Sequence, residues 1–182
     1  MTTTPEPEEL RRTALLSLHN TCGLYTRCGD SVFKSRASVS YQQFVVLLTI
    51  ASLTPPVNQT DVATQTQREL NSISMIIDRM EAAGLVTRTR SELDRRTVHL
   101  SLTTAGKEAL ERATAVSDTL TRRLTSTFST REAETAVRLL DKLRRNILKE
   151  LGEEAPEDRG ARKTDQRTGR GQKRAPRRGG GK

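Results

Sequence analysis

The chain has 182 residues, of which 34% are hydrophobic and only 3% aromatic, so its core must consist mainly of aliphatic side chains. That length suits one domain with a tail. The formal net charge of +9 is concentrated in residues 159–182, which hold ten basic residues and one acid, whereas residues 1–158 carry both signs equally. Bulk charge therefore does not make the globular part a nucleic-acid binder, and any such affinity must come from the placement of its charges.

The chain has no run of about 18 apolar residues that would predict a membrane span. Its N-terminus, MTTTPEPEEL, is acidic and lacks an apolar signal segment, which predicts a cytoplasmic protein. Cys22 and Cys28 are too few for a disulfide framework, and six residues apart on one helix they cannot bridge each other. Two unpaired thiols in a reducing compartment are the expected state. A redox-sensing thiol is the alternative, supported only by Arg27 beside Cys28.

Apolar spacing predicts a first long helix over residues 8–28 that ends near Gly29. Ser38 and Ser40 offer caps for a second helix, and the proline pair at 55–56 terminates it. This second helix is apolar on nearly all sides, so we expect it to lie buried at the centre of the domain.

Two further helices are predicted next. Asn58, followed three residues later by Asp61, predicts the capped start of a short third helix that runs to about Thr64. Asn71 is predicted to cap the fourth helix, and Gly84 to end it in the left-handed conformation. The apolar residues of the fourth helix follow helical periodicity and predict one buried face: Ile73, Ile76, Ile77 and Met80.

A β-hairpin is predicted after Gly84, because residues 85–90 and 97–102 have strand propensity and the segment between them, SELDRR, carries the turn. Thr103 or Thr104 then caps a fifth helix that runs to about Phe128. A capping box that begins at Ser129 opens a sixth helix to about Leu151. The sixth helix is predicted to carry a continuous apolar stripe: Ala136, Leu139, Leu140, Leu143, Ile147 and Leu151.

The outer half of the fourth helix is a candidate reader of DNA bases, because recognition helices meet base edges with their N-terminal residues. Asparagine can read adenine, and methionine can pack on a thymine methyl group. Taken alone, the helix is more typical of an ordinary amphipathic surface helix with small polar residues at its start. Its outward-facing side chains are predicted to be Asn71, Ser72, Ser74, Met75, Asp78 and Arg79.

The hairpin shifts the balance towards DNA binding. Arg88 and Arg90 alternate with threonines, so both lie on one face of the first strand. Arg95 and Arg96 lie at the turn, where an arginine can enter a narrow minor groove. The preceding acid, Asp94, would pair with an arginine or accept turn N–H groups. A solvated hairpin with surface ion pairs is the alternative, but such pairs contribute only about 0–1 kcal/mol.

The segment NSISMIIDRMEAAGLVTR resembles the recognition helix and first wing strand of the MarR (multiple antibiotic resistance regulator) family. The segment DRRTVHLSLTTAG resembles that family's wing tip, second strand and following helix start. The resemblance covers about residues 8–151. It implies a mainly α fold with a small β-hairpin wing, in which a winged helix-turn-helix is joined to a helical dimerisation region from both termini. The implied parts are a frayed N-terminus (1–7), a DNA-reading lobe (about 38–102), dimerisation helices (about 8–28 and 103–151) and a disordered basic tail (152–182).

The resemblance also implies an obligate homodimer whose first, fifth and sixth helices interlock with those of the partner chain. By position, Ser72, Ser74 and Met75 match major-groove contacts, and Asp94 and Arg96 match a wing pair in which the acid braces a minor-groove arginine. A ligand pocket between the dimer helices and the DNA-reading lobe is implied as well. Its candidate lining residues, for each of which core or surface packing is the simpler explanation, are Arg12, His19, Tyr25, Tyr41 and Phe44.

These features predict a dimeric, sequence-specific DNA-binding transcription regulator, expected to be a repressor. Its recognition helix (71–83) would enter the major groove and its wing (86–102) the minor groove of a pseudo-palindromic operator in double-stranded DNA. A small-molecule effector of unknown identity is a further expected partner, and no metal or cofactor is expected. The candidate DNA contacts are Arg68, Asn71, Ser72, Ser74, Met75, Arg79, Arg88, Arg90, Asp94, Arg95 and Arg96.

Three alternatives stay open: a non-sequence-specific nucleic-acid binder driven by the basic tail, a thiol-based redox-sensing regulator, and a protein-interaction module. An enzyme has little support. His19 and His99 belong to no metal-ligand spacing, and the sequence contains no glycine-rich phosphate loop and no nucleophile elbow.

Overall fold

The computed structural model describes residues 6–90 and 97–153. Residues 154–182 of the predicted basic tail (152–182), and the wing tip with Asp94, Arg95 and Arg96, therefore lie outside the described residues. The described part is mainly helical with one antiparallel hairpin, as the sequence predicted. Its elements are α1 (Pro7–Ala37), α2 (Tyr41–Ser52), α3 (Gln59–Thr66), α4 (Leu70–Ala82), β1 (Val86–Arg90), β2 (Val98–Leu102), α5 (Thr104–Leu124) and α6 (Thr130–Leu151).

Helix α1 does not end at Gly29, so the predicted boundary of the first helix at Cys28 was wrong. The helix runs to Ala37 and ends at Ser38, which adopts the left-handed conformation with φ 58°. Phe33 and Ala37 follow Gly29 on the same face of the helix, and both are fully buried. Their burial outweighs the roughly 1 kcal/mol that a glycine costs a helix interior. A Cβ at Gly29 would lie 3.1 Å from Cγ of Tyr41, so this glycine serves a close contact between α1 and α2.

Helix α2 lies at the centre of the domain, which confirms the prediction for the second helix. It contacts α1, α3, α4, α5 and β2. Its N-terminus is closed by a capping box in which Ser40 and Gln43 satisfy each other's backbone N–H groups. The side chains that it buries are Phe44, Val46, Leu47, Thr49 and Ile50.

Helix α3 has the predicted capping box, but α4 begins earlier than predicted. Asn58 Oδ1 accepts from Asp61 N at 3.0 Å, and Asp61 Oδ2 accepts from Asn58 N at 2.8 Å. Asn71 does not cap α4: Ile73 N already donates to the carbonyl of Glu69, so Asn71 lies inside the first turn. Gln67, at the end of α3, adopts the left-handed conformation (φ 52°) and turns the backbone within one residue. Helix α4 can therefore begin only three residues later, at Leu70.

The cap of α3 gives a direct test of local stability. Asn58→Ala is expected to lower the free energy of unfolding by about 0.5–2 kcal/mol, because it removes the acceptor for one otherwise unsatisfied helix N–H. Thr60→Ala, at an exposed site in the same turn, is the control and should change stability by less than about 0.5 kcal/mol. Equal losses for the two variants in denaturant unfolding at one protein concentration would show that the cap contributes nothing specific.

The hairpin is anchored at its base. Val86 pairs with Leu102 and Arg90 with Val98, so both strands leave together towards residues 91–96. Val86 and Leu100 are buried, and Leu100 N also donates to the carbonyl of Val57 at 2.7 Å. The base of the wing is thereby tied to the segment that leads into α3.

Helices α5 and α6 have the predicted caps, supplied by Thr103 and by the capping box of Ser129 with Glu132. Hydrogen bonds from Ser129 lower the pKa of the Glu132 carboxyl. Helix α5 ends at Leu124, four residues before the predicted boundary, because Phe128 closes a turn that leads to the next cap. Among the described residues, no helix is both long and apolar enough to cross a lipid bilayer.

The apolar stripe predicted on α6 is not covered by the described part of this chain. Leu148 is the only residue that α6 buries. A second exposed apolar surface runs along the N-terminal part of α1. We call these two surfaces together the open apolar faces. Their largest exposed members are Leu10, Leu15, Leu16 and Leu24 on α1, and Val137, Leu139, Leu140, Ile147 and Leu151 on α6.

Candidate nucleic-acid interface

Helix α4 presents one face to the core and the opposite face to solvent, as predicted. Ile73, Ile76, Ile77 and Met80 are buried. On the outer face, Asn71 and Ser72 are exposed, Ser74 is half-buried, and Met75 exposes 57% of its surface. From Asn71 to Met75 this face carries only uncharged side chains, of which Met75 is the largest; the exposed Glu69 lies just before them, at the N-cap of α4. Asp78, Arg79 and Glu81 follow in its C-terminal half.

Helices α3 and α4 form a helix-turn-helix, because only residues 67–69 separate them. Arg68, in that turn, is half-buried and lines a cleft of about 930 Å³ between α1, α3 and α6. The structure therefore brings Arg68 next to α1 and α6 and does not group it with the outer side chains of α4.

The two arginines of β1 have different surroundings, although they share one strand face as predicted. Arg88 forms ion pairs with Asp78 at 2.6 Å and with Glu81 at 2.5 Å, and its side chain is only 22% exposed. Partial burial opposes the charged form, but the two carboxylates outweigh it and raise the pKa of Arg88. Arg90 is exposed and has no ion-pair partner among the described residues.

The start of α5 locks onto the junction of α4 and β1, a contact that sequence reasoning missed. Thr103 Oγ1 donates to the carbonyl of Gly84 at 2.7 Å, and Thr103 N donates to the carbonyl of Leu85 at 3.1 Å. Gly106 N donates back to Thr103 Oγ1 at 2.9 Å. The threonine therefore caps α5 and also fixes it against the end of α4. The signal in the sequence was the glycine three residues after the capping threonine.

The candidate ligand-pocket residues do not form one site. Arg12 pairs with Glu8 on the exposed surface of α1, and His19 is exposed. The hydroxyl groups of Tyr25 and Tyr41 lie 3.1 Å apart. Burial, followed by the hydrogen bond with Tyr25, raises the pKa of Tyr41. Phe44 packs beside Tyr41 in the core. The three aromatic side chains therefore pack α1 against α2.

The described residues contain no group of three or more histidine, cysteine or acidic side chains arranged to hold a metal ion. Both cysteines are free; Cys22 is exposed and Cys28 half-buried.

A helix-turn-helix followed by a hairpin anchored at its base defines the winged-helix class of protein folds. Residues 39–98 match the model of the MarR family. The HTH-type transcriptional regulator MgrA of Staphylococcus aureus is 34% identical over 99 residues, which cover 54% of this chain and 66% of MgrA, just under two thirds of that relative's length. Over these residues, the chain is similar to the MarR family of transcriptional regulators.

Solved structures support the same fold. The transcriptional regulator BldR from Sulfolobus solfataricus superposes with a TM-score of 0.67 at 21% identity, covering 76% of this chain and 97% of BldR. MepR of S. aureus, solved in complex with DNA, superposes with a TM-score of 0.63 at 21% identity, covering 71% of this chain and 93% of MepR. At these identities the likeness shows a shared fold.

Proposed function

We propose that the protein is a dimeric, sequence-specific DNA-binding transcription regulator that represses by occupying its operator. The observation that carries the proposal is the solvent-open outer face of α4 beside a wing anchored to the same core. A helix and a hairpin held in this relation can enter adjacent major and minor grooves of one duplex. The family supports the same conclusion, since MgrA is named a transcriptional regulator and MepR was solved with DNA.

Two copies of the chain would present two such surfaces. The open apolar faces of α1 and α6 expose large aliphatic side chains, whereas monomeric proteins rarely leave contiguous apolar patches of this kind in water. Both surfaces lie on helices outside the helix-turn-helix, so pairing them leaves α4 free. A two-fold dimer then places two α4 helices on half-sites about one helical turn apart.

Base contacts are assigned to the N-terminal half of α4. Ser72, Ser74 and Met75 would face base edges, with Asn71 beside them, and Arg79 would lie nearer the backbone. The hydroxyls can donate or accept, and the Met75 side chain offers an apolar contact for a thymine methyl group. The mixture of adaptable hydroxyls and one exposed apolar side chain is suited to reading bases, whereas phosphate contact alone would need basic residues.

Phosphate and minor-groove contacts are assigned to the wing. Arg90, exposed at the end of β1, and the tip arginines Arg95 and Arg96 supply the positive charge. An effector would act by favouring a spacing of the two DNA-reading lobes that no longer fits the operator. The cleft beside Arg68 is large enough for a drug-sized molecule.

Arg96→Ala tests the wing assignment. The variant is expected to weaken operator binding by at least about 1 kcal/mol, because a minor-groove arginine is lost while the fold stays intact. Titration at fixed salt measures the loss, and circular dichroism checks that the variant is folded. Arg131→Ala, an exposed arginine at the start of α6, is the control and should bind normally. Undiminished affinity of Arg96→Ala would refute the assignment.

Deleting residues 159–182 distinguishes this proposal from the alternative of a non-sequence-specific nucleic-acid binder driven by the basic tail. Our proposal expects the shortened chain to keep its preference for the operator over scrambled duplex while losing part of the salt dependence of binding. Loss of that preference together with all affinity would favour the rival.

A further inference from the structure

The side chain of Arg88 connects β1 of the wing to α4. Its Nη2 lies 2.6 Å from Oδ1 of Asp78, and its Nη1 lies 2.5 Å from Oε2 of Glu81. The two acids are three residues apart on α4, so they lie on the same side of that helix. A planar guanidinium with both of its terminal nitrogens engaged is fixed in orientation as well as position. We call these three residues the wing clamp.

We propose that Arg88 is a positioning residue that sets the angle of the wing against α4, so that the two elements fit one duplex together, and that it does not itself contact DNA. This inference rests on the proposed function and assigns Arg88 a different role from Arg90, its neighbour on the same strand face. It also replaces the sequence-based expectation that both arginines contact DNA.

The geometry of the hairpin makes such a clamp necessary. A two-stranded hairpin is at best marginally stable on its own, so its direction is set by what it touches. The buried Val86 and the hydrogen bond from Leu100 to Val57 fix the base of the wing. Arg88 lies farther along β1, midway between Val86 at its start and Arg90 at its end. A contact there resists rocking of the wing about its base.

Charge argues against a direct DNA contact by Arg88. Asp78 and Glu81 carry two negative charges on the helix that would enter the major groove, and Arg88 neutralises one of them. If the guanidinium moved to a phosphate, both carboxylates would be left facing a polyanion without a partner. The pair would then repel the DNA that Arg88 was attracting.

The decisive variant removes the acids and keeps the arginine. Asp78→Asn/Glu81→Gln weakens the clamp and makes the chain more positive by two charges. General electrostatics predicts tighter binding to every duplex. The clamp predicts that the ratio of operator affinity to scrambled-duplex affinity falls by at least about fivefold, because the wing no longer reaches its groove in register. An unchanged or raised ratio would overturn the inference.

Single arginine variants supply the matched comparison, measured as affinity across a salt series. Arg90→Ala should reduce the slope of log affinity against log salt by about 0.9, the effect of one lost phosphate contact. Arg88→Ala and Arg88→Lys should both lower the affinity ratio and leave that slope unchanged, since lysine cannot bridge two carboxylates as a fork. A slope change of about 0.9 for Arg88→Ala with an unchanged ratio would identify Arg88 as a phosphate contact.

A readout without DNA separates this inference from the proposed function. If the wild-type chain binds every duplex tested only as tightly as a scrambled version of the same duplex, the proposed function fails. The clamp itself is then tested by amide hydrogen exchange along β1 and β2, which should be faster in Arg88→Ala and in Asp78→Asn/Glu81→Gln than in Arg90→Ala. Equal exchange in all three variants would show that no clamp exists.

Discussion

Gly106→Ala is expected to destabilise the protein severely, although it adds only one methyl group. A Cβ at this position would lie 2.0 Å from the carbonyl oxygen of Leu85 and 3.0 Å from its carbonyl carbon. Both are backbone atoms, so no side chain can rotate away to make room. Helix α5 must instead move off the junction of α4 and β1.

That movement breaks the bonds that fix the junction. Thr103 would lose its hydrogen bonds to the carbonyls of Gly84 and Leu85. Overpacking alone costs about 1–3 kcal/mol, and the lost bonds add to it. Against a typical total of about 5–15 kcal/mol, this loss puts folding at risk. Helix α4 ends and the wing begins at this junction, so DNA binding should fall with stability.

Gly23→Ala is the matched control for Gly106→Ala, because it makes the same substitution inside a helix. A Cβ at Gly23 would meet no atom within 4 Å. Alanine should therefore stabilise α1 by about 0.5–1 kcal/mol. Thermal unfolding at one protein concentration should shift in opposite directions for the two variants. A Gly106→Ala protein as stable as the wild type would contradict the packing described for α5.

Leu140→Glu/Ile147→Glu is expected to convert the proposed dimer to monomer. Both side chains are about half exposed within one chain and lie seven residues apart on the same side of α6, so two carboxylates there need not unfold the monomer. In a dimer they would be buried without partners, which is far more costly. Sedimentation should show the mass of one chain.

Operator affinity of this variant should fall by about a hundredfold or more, because a monomer holds only one half-site and loses the gain from linking two. Lys142→Glu, which changes the charge of α6 by the same amount at an exposed site outside the apolar stripe, is the control. It should remain dimeric and bind. The proposed dimer would be refuted if the wild-type chain were itself monomeric and bound the operator no more tightly than Leu140→Glu/Ile147→Glu.

Local signals in the sequence predicted the elements that depend on local chemistry. The capping boxes at Asn58 and Ser129 and the left-handed Gly84 are properties of a few adjacent residues, and the structure contains each of them. The buried face of α4 followed from periodicity alone. The segments that resemble the family's recognition helix and wing could also be placed, because the helix and the two strands follow one another directly in the sequence.

Features set by distant contacts were missed. Gly29 resembles a helix stop, but the ring of Tyr41 packs against it and α1 continues. Arg88 and Arg90 are indistinguishable in a strand pattern, and only the fold places Asp78 and Glu81 beside the first of them. The lock of α5 onto Leu85 likewise joins residues about twenty positions apart. Pairings of this kind cannot be deduced from local propensity.

Selection from a random pool of DNA duplexes tests the central claim most directly: that the outer face of α4 and the wing together recognise double-stranded DNA by sequence. We expect enrichment of two inverted half-sites whose centres lie about one helical turn apart. We also expect Ser74→Ala and Met75→Ala to change the preferred bases without changing that spacing. If no sequence is enriched, or if both variants select the same bases as the wild type, the assignment of α4 as the base-reading element is wrong.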